Sequence, residues 1–307
     1  MGGLQILIYI ALLFFVVVIA LKMIKISRMP LHLRWDLYPI PHEKGKGEYG
    51  GSYFEELDWW TKPRNFSLIS EIKEMAKEII FIQSLWKNNK PLWVFSFPFH
   101  FGMYMLVALF GLLFLGSILN LCGIQTTESS PNALGGMICQ IIPIIGNIGF
   151  ALAIFGGVGL FFSRIFNGKL CRASVTSDYT NLLVLLAFFV VGFIAVLTVD
   201  SSYILHRNFI QRMITFQAIP NFNIWIKAEL WLLALVFLYL PLTHMTHFVG
   251  KYFTYHKVRW EDEPNVRGSK IEAAVINSLG YKLSWSADHI KTGGTWAEAA
   301  TEEADEK

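Results

Sequence analysis

The sequence predicts an all-α membrane protein that crosses the bilayer five times. Hydrophobic residues make up 54% of its 307 positions and charged residues only 16%, which is too apolar for a water-soluble domain of this size. A helix needs roughly 20 apolar residues to span a bilayer, and five stretches reach that length. They cover about residues 4–24, 92–121, 137–163, 181–199 and 229–249. The first stretch follows no basic segment and precedes no cleavage site of small residues, so we expect it to be retained as a helix.

The distribution of lysine and arginine predicts the orientation of these helices. Residues 22–90, residues 164–172 and the tail from residue 251 contain all but three of the 26 basic residues. The exceptions are Arg207, Arg212 and Lys227. Because cytoplasmic segments of membrane proteins are rich in lysine and arginine, we expect the N-terminus outside and the C-terminus in the cytoplasm. The sequence therefore predicts a multi-pass protein of a bacterial or archaeal cytoplasmic membrane.

Four parts follow from this topology. Residues 1–24 form the first transmembrane helix, 25–91 a cytoplasmic loop, 92–250 a membrane core of four helices, and 251–307 a cytoplasmic tail. Within the loop, residues 67–86 carry apolar side chains at helical spacing, which predicts an amphipathic helix that lies on the membrane or against a partner. The end of the tail, TWAEAATEEADEK, is typical of a disordered segment.

Ionisable side chains inside the apolar stretches are costly and therefore point to function. They are His100, Glu229, His244 and His247. In the predicted topology, His100 early in the second span and His247 at the end of the fifth lie at the same, cytoplasmic depth. Two neutral imidazoles on facing helices of a bundle are suited to be the axial ligands of a b-type haem, here between spans two and five. The alternative is that each imidazole hydrogen-bonds a neighbouring helix. Pro98 fits the first turn of the second helix, and Gly102 leaves room near His100 for a flat macrocycle.

His244 is a second candidate for the role given to His247. It lies three residues earlier, about 60° around the same helix. It is either the ligand itself, a partner of a haem propionate, or a donor that orients the ligand. Four further histidines lie in polar segments, where solvated or capping roles are expected: His32, His42, His256 and His289.

Glu229 lies 18 residues before His247, which is five helical turns or about 27 Å. This spacing places it near the outer face, level with Asp200 and His206. One interpretation is a quinone or proton site formed by these three residues. The other, which we prefer from sequence alone, is an acid at the start of a helix beside Lys227, where the helix dipole favours negative charge.

The cysteines exclude two kinds of redox centre within this chain. Cys122, Cys139 and Cys171 form no CxxC or CxxCH motif and no zinc-binding pattern with histidine. We therefore expect no cysteine-ligated iron–sulfur cluster and no c-type haem of its own. Cys122 and Cys139 fall near one membrane face, so they either form a disulfide or are two unrelated buried thiols.

The membrane core, about residues 4–255, resembles the cytochrome b (gamma) subunit of respiratory nitrate reductase. The segment Pro241-Leu-Thr-His-Met-Thr-His247-Phe is similar to that family's Pro-Phe-Ser-Arg-Leu-Val-His pattern, and His247 falls on its haem-ligand position. His100 falls on the matching ligand position in the second span. The family carries a second haem, but its ligand positions are occupied here by Phe110 and Glu229. The resemblance therefore implies one haem b in this chain rather than two.

The predicted inner loop is similar to a different group of cytochrome b subunits. Its segments RWDLYPIPHE and YGGSYFEELDWW resemble the homologues found with iron–sulfur subunits in the Tmc, Dsr and heterodisulfide-reductase types of membrane complex. This resemblance implies an iron–sulfur partner of heterodisulfide-reductase type on the cytoplasmic side and menaquinone as substrate. Other membrane subunits or multihaem cytochrome c subunits are further candidate partners. We expect membrane lipid around the chain and no nucleic-acid partner.

The sequence thus favours a subunit of a quinone-linked oxidoreductase that relays electrons through one haem and is not catalytic alone. Because electron tunnelling weakens steeply with distance, we expect the quinone to react in the inner half, near that haem. Three alternatives remain: a non-redox membrane anchor or assembly subunit, a two-haem quinol oxidase subunit with an unusual second site, and a small-solute or proton transporter. The absence of an inverted repeat argues against transport.

Overall fold

A computed structural model describes residues 2–29, 56–63, 67–253, 266–287, 290 and 292–301 of the chain. The regular structure of these residues is almost entirely helical. The helices are α1 Gly3–Ser27, α2 Leu68–Phe81, α3 Gln83–Asn88, α4 Lys90–Leu121, α5 Ala133–Phe166, α6 Gly168–Ala173, α7 Thr176–Thr198, α8 Ile204–Ile214, α9 Ile224–Tyr239, α10 His247–Phe253, α11 Lys270–Leu279 and α12 Trp296–Thr301. Short 3₁₀ turns lie at Trp59–Thr61, Leu240–Leu242 and His244–Thr246.

Five of these helical segments are long and apolar enough to cross a membrane, as the sequence predicts. They are α1, α4, α5, α7 and the segment Ile224–Leu242, which joins α9 to the 3₁₀ turn after it. The chain divides into two compact units. The first unit comprises Met1–Ile19 and Met75–Thr246, and the second comprises Ala20–Glu74 and His247–Lys307.

In the first unit, α4 packs on α5, α5 on α7 and α7 on α9, while α8 packs on α4. Glycine allows α4 and α5 to approach closely, as small residues do between membrane helices. A Cβ atom on Gly102 would lie 2.7 Å from the carbonyl oxygen of Gly149, and it would press on the backbone of Ala153. Gly102 is therefore used for contact with α5, not for the haem contact that the sequence suggested.

We call the end at which α4 and α7 begin the inner end, and the end at which they finish the outer end. At the inner end, the Tyr239 hydroxyl donates to the side-chain oxygen of Asn181 (2.7 Å). At the outer end, α1 is held by two polar side chains. The Gln5 amide donates to the Gln217 carbonyl (2.8 Å), and the Tyr9 hydroxyl donates to the Met213 carbonyl (2.6 Å).

The fifth predicted span is interrupted, contrary to the continuous helix predicted over 229–249. Helix α9 ends at Tyr239, two 3₁₀ turns follow, and α10 begins at His247 in the second unit. Pro241 explains the break, because it has no amide hydrogen to donate to the carbonyl four residues earlier and its ring clashes with that carbonyl. The continuous α-helix assumed in spacing Glu229, His244 and His247 is therefore not what the structure has.

The prediction for Pro98 is also wrong. Pro98 lies inside α4 rather than in its first turn. The first turn instead contains Pro91, and the Asn89 side chain caps it by accepting the amide of Leu92 (3.2 Å). The apolar surroundings of a membrane helix tolerate an internal proline where neighbouring helices support it.

The amphipathic helix predicted over 67–86 is present but divided. Helix α2 ends at Phe81, Ile82 adopts a left-handed conformation (φ 50°), and α3 continues from Gln83. In the second unit, Ser269 caps α11 by accepting the amide of Glu272 (3.1 Å). Helix α12 occupies Trp296–Thr301, inside the segment for which the sequence predicts disorder.

Candidate functional site

His100 is held in α4 by a backbone hydrogen bond. Its Nδ1 lies 2.7 Å from the carbonyl oxygen of Ser96, one turn earlier, and 3.4 Å from the Ser96 hydroxyl. A carbonyl oxygen can only accept, so Nδ1 carries the hydrogen and donates it. A neutral imidazole with this bond has its lone pair on Nε2, which is the tautomer that ligates a metal through that nitrogen. A bond from the other ring nitrogen to a carbonyl is the support that metal-ligating histidines usually have, so His100 fits an axial haem ligand.

His244 is engaged elsewhere. Its Nε2 lies 3.1 Å from the Asp178 carboxylate and 3.5 Å from the Asn181 side-chain nitrogen, both at the start of α7. The same carboxylate lies 3.4 Å from Arg164 and accepts the amide of Val175 (3.0 Å). The nitrogen that would ligate iron thus contacts a carboxylate, and the side chain is 55% exposed. This arrangement disfavours His244 as the ligand.

Other predicted residues are less informative. His247 is the first residue of α10, in the second unit. His32, His42, His256 and His289 lie outside the described residues, as do residues 34–43 and 49–55 of the inner loop. The three cysteines are free thiols; Cys139 is buried, whereas Cys122 and Cys171 are exposed.

The outer end contains a buried chain of three ionisable side chains, which we call the outer triad: Asp200, His206 and Glu229. His206 lies between the two carboxylates, with Nδ1 2.7 Å from Asp200 and Nε2 2.9 Å from Glu229. The His206 backbone amide also donates to Asp200 (2.9 Å). The sequence analysis preferred Glu229 as an acid at the start of a helix beside Lys227, and this is wrong. Glu229 lies in the second turn of α9 and pairs with His206. The triad ties the end of α7, α8 and α9 together.

The electrostatics of the outer triad fix the charge of its imidazole. Burial opposes the charged form of His206, but the hydrogen bonds and negative charges of Asp200 and Glu229 prevail and raise its pKa to about 10. Burial likewise raises the pKa of Asp200, but its bonds from His206 prevail and hold that pKa below its usual value. Burial, together with the two carboxylates, raises the pKa of Tyr203. At neutral pH the His206 imidazole is therefore protonated, between the side chains of Asp200 and Glu229.

The outer end has further polar residues that the sequence analysis missed. Tyr203 has a left-handed backbone (φ 57°), and its hydroxyl donates to Asn147 (3.3 Å). Arg207 is 3% exposed, and among the described residues its Nε atom has no hydrogen-bond partner. The Ser117 hydroxyl donates to the Arg207 carbonyl (3.0 Å), which joins α4 to α8. A charged residue next to His206 was visible in the sequence, but its burial depends on the packing of α8.

Phe110 and Glu229, which the sequence comparison aligns with the ligands of a second haem, do not suit haem ligation in this structure. Phe110 has no ligating atom and is 46% exposed on α4. The Glu229 carboxylate is already bonded to a charged imidazole. A protonated His206 offers no lone pair to iron. The outer end thus contains an ion pair where the family pattern has a haem ligand.

A row of aromatic rings on α4 is the other feature that the sequence analysis missed. Trp86 of α3 packs on Trp93 with ring centres 4.6 Å apart, Trp93 stacks on Phe97 at 4.7 Å, and Phe97 stacks on Phe101 at 5.5 Å. We call these four residues the aromatic ladder. Three of them recur every four residues on α4, so they lie on one face of the helix. His100 lies seven residues after Trp93 and therefore shares this face.

Comparison with known proteins identifies the family of the chain. The family model described as nitrate reductase gamma subunit matches residues 83–261, which is more than half of the sequence. No curated protein and no solved structure matches the chain. Members of the family are membrane cytochrome b subunits that bind haem b and take part in quinol-linked electron transfer within multi-subunit complexes. With five helices able to span a membrane and a match over its core, this chain belongs to the nitrate reductase gamma subunit family.

Proposed function

We propose that this chain relays electrons between menaquinone and an iron–sulfur partner through one b-type haem, which His100 and His247 ligate. The observation that carries the proposal is the 2.7 Å bond from His100 Nδ1 to the Ser96 carbonyl, because metal-ligating histidines usually donate their other ring nitrogen to such an acceptor, which fixes the ring orientation. Family membership supports haem b as the group that needs this nitrogen. When bound, the haem carries one electron at a time as its iron alternates between the ferric and ferrous states.

His247 is the second ligand in this proposal. It lies within the matched residues 83–261, and the resemblance of its segment to the family's Pro-Phe-Ser-Arg-Leu-Val-His pattern implies that it is a ligand. Its competitor His244 has its Nε2 against Asp178, so using it as a ligand would leave the carboxylate without this partner. His244 then serves to fix the 3₁₀ turn before α10 to the start of α7.

The outer end supports the proposal of a single haem. The Phe110 side chain cannot ligate iron, and Glu229 neutralises His206. A haem at this position would have to displace the Glu229 carboxylate from its 2.9 Å contact with His206. The outer triad is in this account an electrostatic clamp, and its predicted role as a quinone or proton site is not required.

The partner and orientation complete the proposal. The distribution of basic residues supports an N-terminus outside the membrane and a C-terminus in the cytoplasm. Helix α2 exposes the apolar side chains of Leu68, Ile69 and Ile72, which suits contact with the membrane surface or with a partner. The partner is an iron–sulfur subunit of heterodisulfide-reductase type on the cytoplasmic side. The chain supplies the membrane half of the electron path and is not catalytic alone.

A visible spectrum of the purified chain tests this function. We expect a b-type α band on reduction, lost in His247→Ala and retained in His244→Ala. A wild-type chain without the band would instead indicate a non-redox anchor. Loss of the band in His244→Ala with retention in His247→Ala would overturn the choice of ligand.

A further inference from the structure

A groove opens at the inner end between the last turn of α2, α3 and the first turn of α4. Its walls are Lys77, Phe81, Gln83, Trp86 and Trp93, and it encloses about 290 Å³. This volume is close to the lower limit of small-molecule sites, roughly 300–1,000 Å³. All five residues belong to the first unit.

Specific hydrogen bonds hold the walls of this groove in place. The Trp93 indole nitrogen donates to the Phe81 carbonyl (2.7 Å), and the Tyr104 hydroxyl donates to the Ile79 carbonyl (2.9 Å). Both bonds attach the end of α2 to α4. The left-handed Ile82 then turns the chain so that α3 closes the groove from the other side.

The groove is continuous with the aromatic ladder. Trp86 and Trp93 line it, and Trp93 stacks on Phe97 with an angle of 8° between the rings. His100 lies two helical turns beyond Trp93 on the same face of α4, about 11 Å along the axis. A ligand in the groove therefore lies close to the proposed haem ligand.

We propose that this groove binds the headgroup of a quinone. A quinone headgroup is flat and conjugated, so it stacks on the exposed indole of Trp86. Its carbonyl oxygens accept hydrogen bonds from the side-chain amide of Gln83 and the ammonium group of Lys77. Its apolar tail lies along the exposed side chain of Phe81. This inference rests on the proposed function, because the haem at His100 is the group that would exchange electrons with the quinone.

The competing occupant is a lipid headgroup. Tryptophan and lysine are common at membrane interfaces, and Lys90 lies over the Trp86 ring at 5.0 Å. Interface anchoring explains one exposed tryptophan beside a lysine. It does not require a groove with an amide donor in its wall and a second indole held by a hydrogen bond. These features favour a planar acceptor ligand over a phosphate.

Calorimetric titration of the full chain in detergent with 2-methyl-1,4-naphthoquinone tests the proposal. We expect saturable binding whose Kd rises at least tenfold in Gln83→Leu and in Trp86→Leu. Trp225→Leu is the matched control, because Trp225 is a similarly exposed tryptophan at the start of α9, at the other end of the bundle. Its Kd is expected to stay within twofold of the wild-type value. Gln83→Leu keeps every aromatic ring, so it separates lost recognition from lost packing.

Three results would overturn the quinone site. They are a Kd unchanged in both groove variants, an equal loss in Trp225→Leu, and a loss in the groove variants of binding to anionic lipid vesicles but not to the quinone. The reduced spectrum, recorded on the same samples, keeps the two proposals apart. A normal α band without quinone binding contradicts only the groove, whereas absence of the band contradicts the haem relay and leaves the titration interpretable.

Discussion

At the inner end of the bundle, the imidazole of His100 meets a neutral carbonyl oxygen; at the outer end, the imidazole of His206 meets two carboxylates. The first environment has an acceptor for the hydrogen on Nδ1 and suits a ligand that binds through Nε2, whereas the second favours the imidazolium with both nitrogens protonated. The same side chain is therefore a candidate metal ligand at one end and a structural cation at the other. The groups that contact a histidine, more than its position along the bundle, decide its chemistry.

The largest expected effect that separates the two ends is on haem content. His100→Ala removes a proposed axial ligand, so we expect complete loss of the reduced α band. His206→Gln removes no ligand, so the band should stay at wild-type intensity per folded chain. Difference spectra of detergent-solubilised membranes measure both. A band that survives in His100→Ala and disappears in His206→Gln would reverse the assignment of the two ends.

The next effect is on stability at the outer end. His206→Ala leaves two buried carboxylates without their shared cation, and removal of one member of a buried ion pair costs about 3–5 kcal/mol. We expect this loss in the free energy of unfolding, measured by SDS titration of the chain in mixed micelles. His244→Ala is the control, because its exposed contact with Asp178 contributes at most about 1 kcal/mol. Equal losses in the two variants would show that the outer triad is not a clamp.

A smaller effect concerns the packing that supports His100. In Gly102→Ala, the added methyl group would meet the Gly149 carbonyl at 2.7 Å and push α4 from α5, which costs about 1–3 kcal/mol. Gly111→Ala on the same helix meets nothing within 4 Å, so it should be neutral or stabilise by up to about 1 kcal/mol. We also expect the shift to broaden the α band in Gly102→Ala alone. An unchanged unfolding curve and band in Gly102→Ala would argue against this close approach.

The smallest expected effect is that of pH. A change of one pH unit alters the free energy of unfolding by at most about 1.4 kcal/mol for a single titrating group. Because folding raises the pKa of His206 from 6.5 to about 10, its contribution is complete below pH 6.5 and is lost as the pH rises to about 10. Tyr203, whose pKa is raised, does not release its proton in that window. Unfolding midpoints of wild type should therefore fall relative to His206→Gln between pH 7 and pH 10. Parallel curves for the two proteins would contradict a charged His206.

The sequence predicts the five spans well because the length of an apolar stretch alone determines whether it can cross a bilayer. It also places Asp200, His206 and Glu229 at one level. Their contact, however, depends on the packing of α8, which follows α7 in the chain and packs on α4. The break after Tyr239 was missed because an internal proline is compatible with a membrane helix, as Pro98 and Pro143 show in α4 and α5. The groove was missed because a left-handed isoleucine has no sequence signal.

The ratio of haem to polypeptide tests the contrast between the two ends most directly. Pyridine haemochrome absorbance gives the haem, and amino-acid analysis of the same purified sample gives the chain. We predict one haem per chain in wild type, one in His206→Gln, and none in His100→Ala. A wild-type ratio of two would contradict the account, because it would require a second haem at the end where Glu229 pairs with His206.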